Sequence, residues 1–83
     1  MTTVRVDVKL YATLRCFAPE GTEIGESFPV EIYDGTVKQV LSKLGISEER
    51  AKIIMVNGVR VKDADAPLKE GDLLVVFPPV GGG

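Results

Sequence analysis

Thr36-Val37-Lys38-Gln39-Val40-Leu41-Ser42-Lys43-Leu44-Gly45 is the stretch that decides the fold of this chain. Thr36 followed three residues later by Gln39 has the spacing of a capping box, and Val37, Val40, Leu41 and Leu44 recur at i, i+3, i+4 and i+7. The pattern predicts an amphipathic helix of about two turns. Gly45 supplies the left-handed residue that ends many helices. A small all-β barrel is the competing arrangement for the flanking segments, and the capping box with its following period argues against it.

Moving outward on the N-terminal side, Phe28, Val30 and Ile32 alternate with polar or proline positions, the period of a half-buried strand. Pro29 has no amide donor, so this strand belongs at an edge or a bulge, and Asp34-Gly35 turns the chain into the helix. Further back, Val4, Val6, Val8 and Leu10 alternate with Arg5, Asp7, Lys9 and Tyr11, giving one core face and one face toward solvent or a partner. Residues 12–25 read as an irregular connection with one helical turn. On the C-terminal side, Ser47-Glu48-Glu49 resembles the cap and acidic first turn of another short helical piece. Ile53–Val56 is an apolar, β-branched run, and Asn57-Gly58 before Val59, Arg60 and Val61 is a strong hairpin signal. Residues 67–72 form a polar turn, and Leu73–Phe77 is almost wholly apolar, which suits a central strand. This order predicts an α+β, β-grasp (ubiquitin-like) fold. A mixed four- to five-stranded sheet packs on one main helix, with the first and last strands parallel at its centre. Residues 1–80 form the single domain and 81–83 a flexible glycine tail.

The chain has 83 residues, enough for one small core, with 45% hydrophobic and 27% charged residues. Ten basic and twelve acidic residues give a net charge of -2. The basic residues are interspersed and form no phosphate-neutralising patch, so no nucleic-acid partner is expected and a basic-faced protein suits the chain better. No apolar run reaches the length of a membrane span and no signal peptide is evident, so the chain reads as cytoplasmic with no membrane partner.

Catalytic constellations are sparse. With no histidine there is no Ser-His or Cys-His pair. The single cysteine, Cys16, reads as a small buried hydrophobe rather than a nucleophile. Glu20, Glu23 and Glu26 read as a solvated face, and Asp63 and Asp65 as turn residues. No metal site is expected, and no glycine-rich loop has phosphate-binding spacing.

The terminus is then the most plausible reactive group. Gly81, Gly82 and Gly83 lack a Cβ and can thread a channel closed to other residues. Pro78 and Pro79 have fixed φ and no amide donors, so they end the sheet and launch the tail stiffly away from it. A carboxylate so presented becomes electrophilic when an activating enzyme adenylates it with ATP.

The run Gly71-Asp72-Leu73-Leu74-Val75-Val76-Phe77-Pro78-Pro79-Val80-Gly81-Gly82-Gly83 resembles the C-terminus of the MoaD/ThiS ubiquitin-like sulfur carriers, and of these most closely the MoaD type. Tyr11-Ala12-Thr13-Leu14-Arg15, Val56-Asn57-Gly58 and Pro67-Leu68-Lys69-Glu70-Gly71-Asp72 extend the resemblance, while residues 18–47 match weakly. The resemblance implies a carrier whose C-terminal glycine, here Gly83, is adenylated by a MoeB-like enzyme and converted by a sulfur donor protein to a thiocarboxylate. It implies insertion of the tail into a MoaE-like large subunit, in a heterotetramer, where the sulfur builds molybdopterin. The carrier would bind no cofactor itself, ATP being used by the activating enzyme. Gly82 and Gly83 match the family's diglycine, and Gly81 is an additional glycine that gives the tail access. Tyr11, Phe77, Pro78 and Pro79, and Arg60 where the family more often has an apolar residue, match positions of partner contact on the open sheet face. Carriers for thiamine or tRNA thiolation, and protein modifiers conjugated through Gly83, share the same features.

Overall fold

The computed structural model describes residues 3–79 except 24 and 34. The expected tail and the Asp34 half of the Asp34-Gly35 turn therefore lie outside the described residues. Five strands, β1 (Val4–Leu10), β2 (Phe28–Ile32), β3 (Ile53–Val56), β4 (Val59–Val61) and β5 (Leu73–Phe77), join one α-helix, α1 (Val37–Leu44), and a 3-10 helix over Ala12–Phe17. The sheet order is β2-β1-β5-β3-β4. β1 and β5 run parallel at its centre, with Val8 opposite Leu74 and Leu10 opposite Val76, while β1 with β2, β3 with β5 and β3 with β4 are antiparallel. This is the mixed β-grasp sheet that the sequence predicts.

The helix forms where its caps place it. Thr36 Oγ1 accepts from the Gln39 amide at 3.3 Å, and the Val37 and Lys38 amides donate to the Ala66 and Ala64 carbonyls at 3.1 and 2.7 Å. The first amide donors of α1, which no helical carbonyl can reach, are thus satisfied by a side chain and by the 64–66 segment. At the other end Gly45 sits at φ 81°. The Ile46 amide reaches Leu41 O at 2.9 Å and the Gly45 amide reaches Ser42 O at 3.1 Å, a Schellman closure. Val37, Val40 and Leu41, all at most 1% exposed, face Val6, Val8, Ile32, Leu74 and Val76 of the sheet within one core cluster. That core contains no polar side chain among the described residues.

Three local expectations are corrected. The connection after β1 holds a six-residue 3-10 helix rather than a single helical turn. Within it Leu14 is buried and Cys16 is exposed, with its Sγ 3.3 Å from Thr13 O. The tight three-residue turn presents Leu14 and the partly buried Phe17 to the core on one side, so Cys16 falls on the other. Ser47 begins a turn rather than a helix: the Arg50 and Ala51 amides both close on its carbonyl, and the chain then leaves for β3.

Candidate functional site

Only one face of the sheet is covered by the helix, yet β5 is apolar on both. Leu74 and Val76 are buried under α1, whereas Leu73, Val75 and Phe77 point to the opposite, open face and are half-buried. A continuous apolar run is the mark of a strand covered on both sides. Register carries the same property to β3, since Ile53 lies opposite Phe77 and Met55 opposite Val75, and both are half-buried. Five adjacent apolar side chains on two central strands thus meet solvent, an apolar patch of the kind that marks an interaction surface.

Phe77 is the last residue of β5 and the root of the tail. It is fastened on both sides. On the β1 side the Tyr11 amide donates to Val76 O at 3.2 Å, and the Tyr11 and Phe77 rings stack with centroids 4.8 Å apart and planes 11° from parallel. On the β3 side Ile53 pairs with Phe77. Pro78, half-buried, and Pro79, exposed, follow directly and have no amide to continue either ladder. Phe77 lies outside the buried cluster, and its ring is occupied by Tyr11 on the open face. Immediately after Tyr11, Ala12 takes φ 53°, a left-handed value uncommon for a residue with a Cβ.

Arg60 is exposed on β4 opposite Met55 and therefore shares this open face. Of the predicted site residues, then, Tyr11, Phe77, Pro78 and Pro79 meet at the tail root, with Arg60 beyond β3. Gly81, Gly82 and Gly83 lie outside the described residues.

The start of β5 is held by a side-chain network that the sequence reading misses. Asn57, at φ 51° in the hairpin turn, donates from Nδ2 to Asp72 Oδ1 at 2.9 Å and accepts the Leu73 amide on Oδ1 at 2.9 Å. Asp72 Oδ2 accepts the Lys69 amide at 2.7 Å. The Asn57 hydrogen bond, then the Lys69 amide and charge, hold the Asp72 carboxyl below its ordinary value, against a smaller opposing effect of desolvation. The Asn57-Gly58 pair signals a turn and says nothing of a partner 15 residues on. The open-face residues Ile53, Met55, Leu73 and Val75 were legible by alternation, had β5 been read as having one uncovered face.

A shallow depression of about 590 Å³ beside α1 is lined by Thr36, Lys38, Gln39, Ser42 and Asp65. Glu20, Glu23 and Glu26 are all exposed, and no helix among the described residues is long and apolar enough to cross a membrane.

Comparison with known proteins agrees with this geometry. The model of the ThiS family matches residues 8–83. Among solved structures, a putative molybdopterin converting factor subunit 1 from Pyrococcus furiosus is 29% identical, with a TM-score of 0.65 over 93% of this chain and 99% of that one. Small archaeal modifier protein 1 from Methanosarcina acetivorans is 25% identical, with a TM-score of 0.69 over the whole of both chains. Subunit 1 in a complex of subunits 1 and 2 of the molybdopterin-converting factor from Helicobacter pylori shares the fold at 22% identity, with a TM-score of 0.56 over 96% of this chain and 100% of that one. A search against proteins of curated function gave no match.

Proposed function

The chain belongs to the ThiS family, as a ubiquitin-like sulfur carrier of the ThiS/MoaD kind, and from that premise we propose that it carries sulfur for molybdopterin synthesis on the carboxylate of Gly83. The observation that carries this reading is the tail root. A half-exposed apolar face ends at Phe77, and the chain leaves it through two prolines. A carrier needs a surface by which partners hold it and a thread that reaches their active sites, and these two features supply both.

The proposed steps follow from carboxylate chemistry. In the active site of a MoeB-like enzyme a Gly83 carboxylate oxygen attacks the α-phosphorus of ATP, and pyrophosphate leaves. Hydrosulfide released by a donor protein, already at the sulfide oxidation level, then attacks the acyl carbon; the C–S bond forms as the C–O bond to AMP breaks, AMP leaves with that electron pair, and a thiocarboxylate remains. Docked on a MoaE-like large subunit through the open face, the domain places that sulfur at the pterin precursor. The large subunit supplies the active site, while Tyr11, Phe77, Pro78, Pro79 and Arg60 serve docking and aim. The Pyrococcus furiosus relative and the two-subunit Helicobacter pylori assembly support this choice of pathway and partner.

A second reading, a modifier joined to protein amines through Gly83, is favoured by the full-length likeness to small archaeal modifier protein 1. Intact-mass spectrometry separates the two. Incubation with the activating enzyme, ATP and a sulfur source shifts the chain by the exchange of one oxygen for sulfur, and removal of Gly82 and Gly83 abolishes the shift. An active enzyme that leaves the mass unchanged overturns the proposal. Lysine conjugates in cells, lost with the same deletion and formed without molybdopterin production, establish the second reading in its place.

A further inference from the structure

The open face also specifies the charge of the protein that covers it, an inference that rests on the docking reading above. By register Lys9 lies opposite Val75, Val75 opposite Met55, and Met55 opposite Arg60, so these four form one row across β1, β5, β3 and β4. Three strand spacings of about 4.8 Å put the two cationic positions about 14 Å apart, with an apolar pair between them. The neighbouring row, nearer the tail, is Tyr11, Phe77 and Ile53.

Among the described residues three of the basic side chains are engaged within the fold, and Lys9 and Arg60 are among those that are not. Lys43 Nζ donates to Glu31 O at 2.6 Å, Arg15 to Thr22 O at 3.3 Å, and Arg50 lies 5.2 Å from the Phe17 ring centroid. Among the described residues neither the Lys9 nor the Arg60 side chain has a hydrogen-bonded or ion-paired partner. The acids of this face lie on the far side of the row from the tail. Asp7 stands two residues before Lys9 on β1, and Glu31 lies on β2 opposite Arg5. Nothing acidic shares β4 with Arg60, and Lys62 follows it.

We propose that the partner protein docking on this face presents an apolar centre flanked by two carboxylates, one meeting Lys9 and one meeting Arg60. The net charge of -2 points to a basic partner; the unpaired cations at the surface that docks reverse that expectation locally. A second copy of the chain does not fit, because an isologous contact through this face brings like-charged rows together.

The test titrates the chain with the large subunit of molybdopterin synthase from the same organism, by calorimetry, at about 50 and about 500 mM NaCl, between which screening shortens several-fold. The expected result is weaker binding of the natural chain at high salt. At low salt Arg60→Gln or Lys9→Gln loses about tenfold, and the Lys9→Glu, Arg60→Glu double variant at least about a hundredfold, with the salt dependence reversed because screening now relieves a repulsion. Unchanged thermal melting shows that the substitutions leave the fold intact. Binding that Phe77→Asp abolishes but the double variant keeps within about twofold overturns the charge pairing and retains the docking face. Tighter binding by the double variant establishes a basic partner and overturns the inference. If the natural chain does not bind the large subunit at all, the docking reading itself falls, and the inference with it.

Discussion

The two faces of one sheet behave as two different molecules. Beneath α1, Val6, Val8, Leu10, Val30, Ile32, Ile54, Leu74 and Val76 are all at most 7% exposed and touch no polar side chain of the core. On the other side the same sheet, with Tyr11 just beyond β1, presents Lys9, Tyr11, Ile53, Met55, Arg60, Leu73, Val75 and Phe77, half-buried or exposed. The backbone is shared, so the difference comes from the alternation of side chains alone. The covered face supplies the stability; the open face leaves its apolar side chains half-exposed. A domain this small has little apolar surface to spare, and leaving so much of it uncovered is a measure of what the second face is for.

Adjacent residues of β5 give the strongest way to break that contrast. Leu74→Ala removes a side chain with no exposure at the centre of the core, and is expected to cost about 2–5 kcal/mol in denaturant unfolding, enough to unfold much of a small domain. Val75→Ala, one residue on and on the open face, is expected to cost about 1 kcal/mol or less while weakening partner binding. Equal losses of stability at the two positions would show that the open face belongs to the fold after all.

The fold was legible because local signals agreed with one another. The Thr36 cap, the 3.6-residue period and Gly45 all point to one helix, and Asn57-Gly58 takes positive φ at both positions, 51° and 84°, as a tight hairpin requires. Pro29 sits on edge strand β2, as its missing donor demands. The site was half legible. Alternation puts Tyr11 on the open face, but its ring stack with Phe77 depends on the parallel pairing of β1 with β5, a contact between residues more than sixty positions apart. Cys16 was misplaced because burial in a 3-10 helix follows a three-residue turn that composition does not reveal.

Intermediate in size is the network at the entrance to β5. Asn57→Ala removes the hydrogen bonds to Asp72 and from Leu73 and is expected to cost about 1–3 kcal/mol. It also changes the response to acid. The folded pKa of Asp72 is lowered from 3.8, so the folded state binds its proton less readily than the unfolded chain. The stability this contributes is fully present above pH 3.8 and is lost as pH falls through the lower folded value. Unfolding free energies measured between about pH 5 and about pH 2 should therefore fall less steeply in Asp72→Asn than in the natural chain, and Asn57→Ala should lie between them. Parallel curves for all three proteins would remove the carboxylate from the account and leave the two faces as the whole of the contrast.

The smallest expected effect sharpens the comparison at the tail root, where the open face begins. Buried β1 positions carry no positive φ, whereas Ala12, immediately after Tyr11, adopts φ 53°. A left-handed conformation costs a residue with a Cβ about 1–2 kcal/mol, and glycine relieves this. Glycine also gives the unfolded chain more freedom, which opposes the gain by about 0.5–1 kcal/mol. Ala12→Gly is thus expected to stabilise the fold by about 0.5 kcal/mol, a shift resolvable in paired denaturant curves. The same freedom acts on Tyr11, whose ring is held against Phe77 at 4.8 Å. A more stable variant that binds its partner less tightly would show that the rigid turn at Ala12 serves the open face at the expense of the fold. A variant that loses stability instead would show that Ala12 is not strained, and that the tail root is built as cheaply as the core.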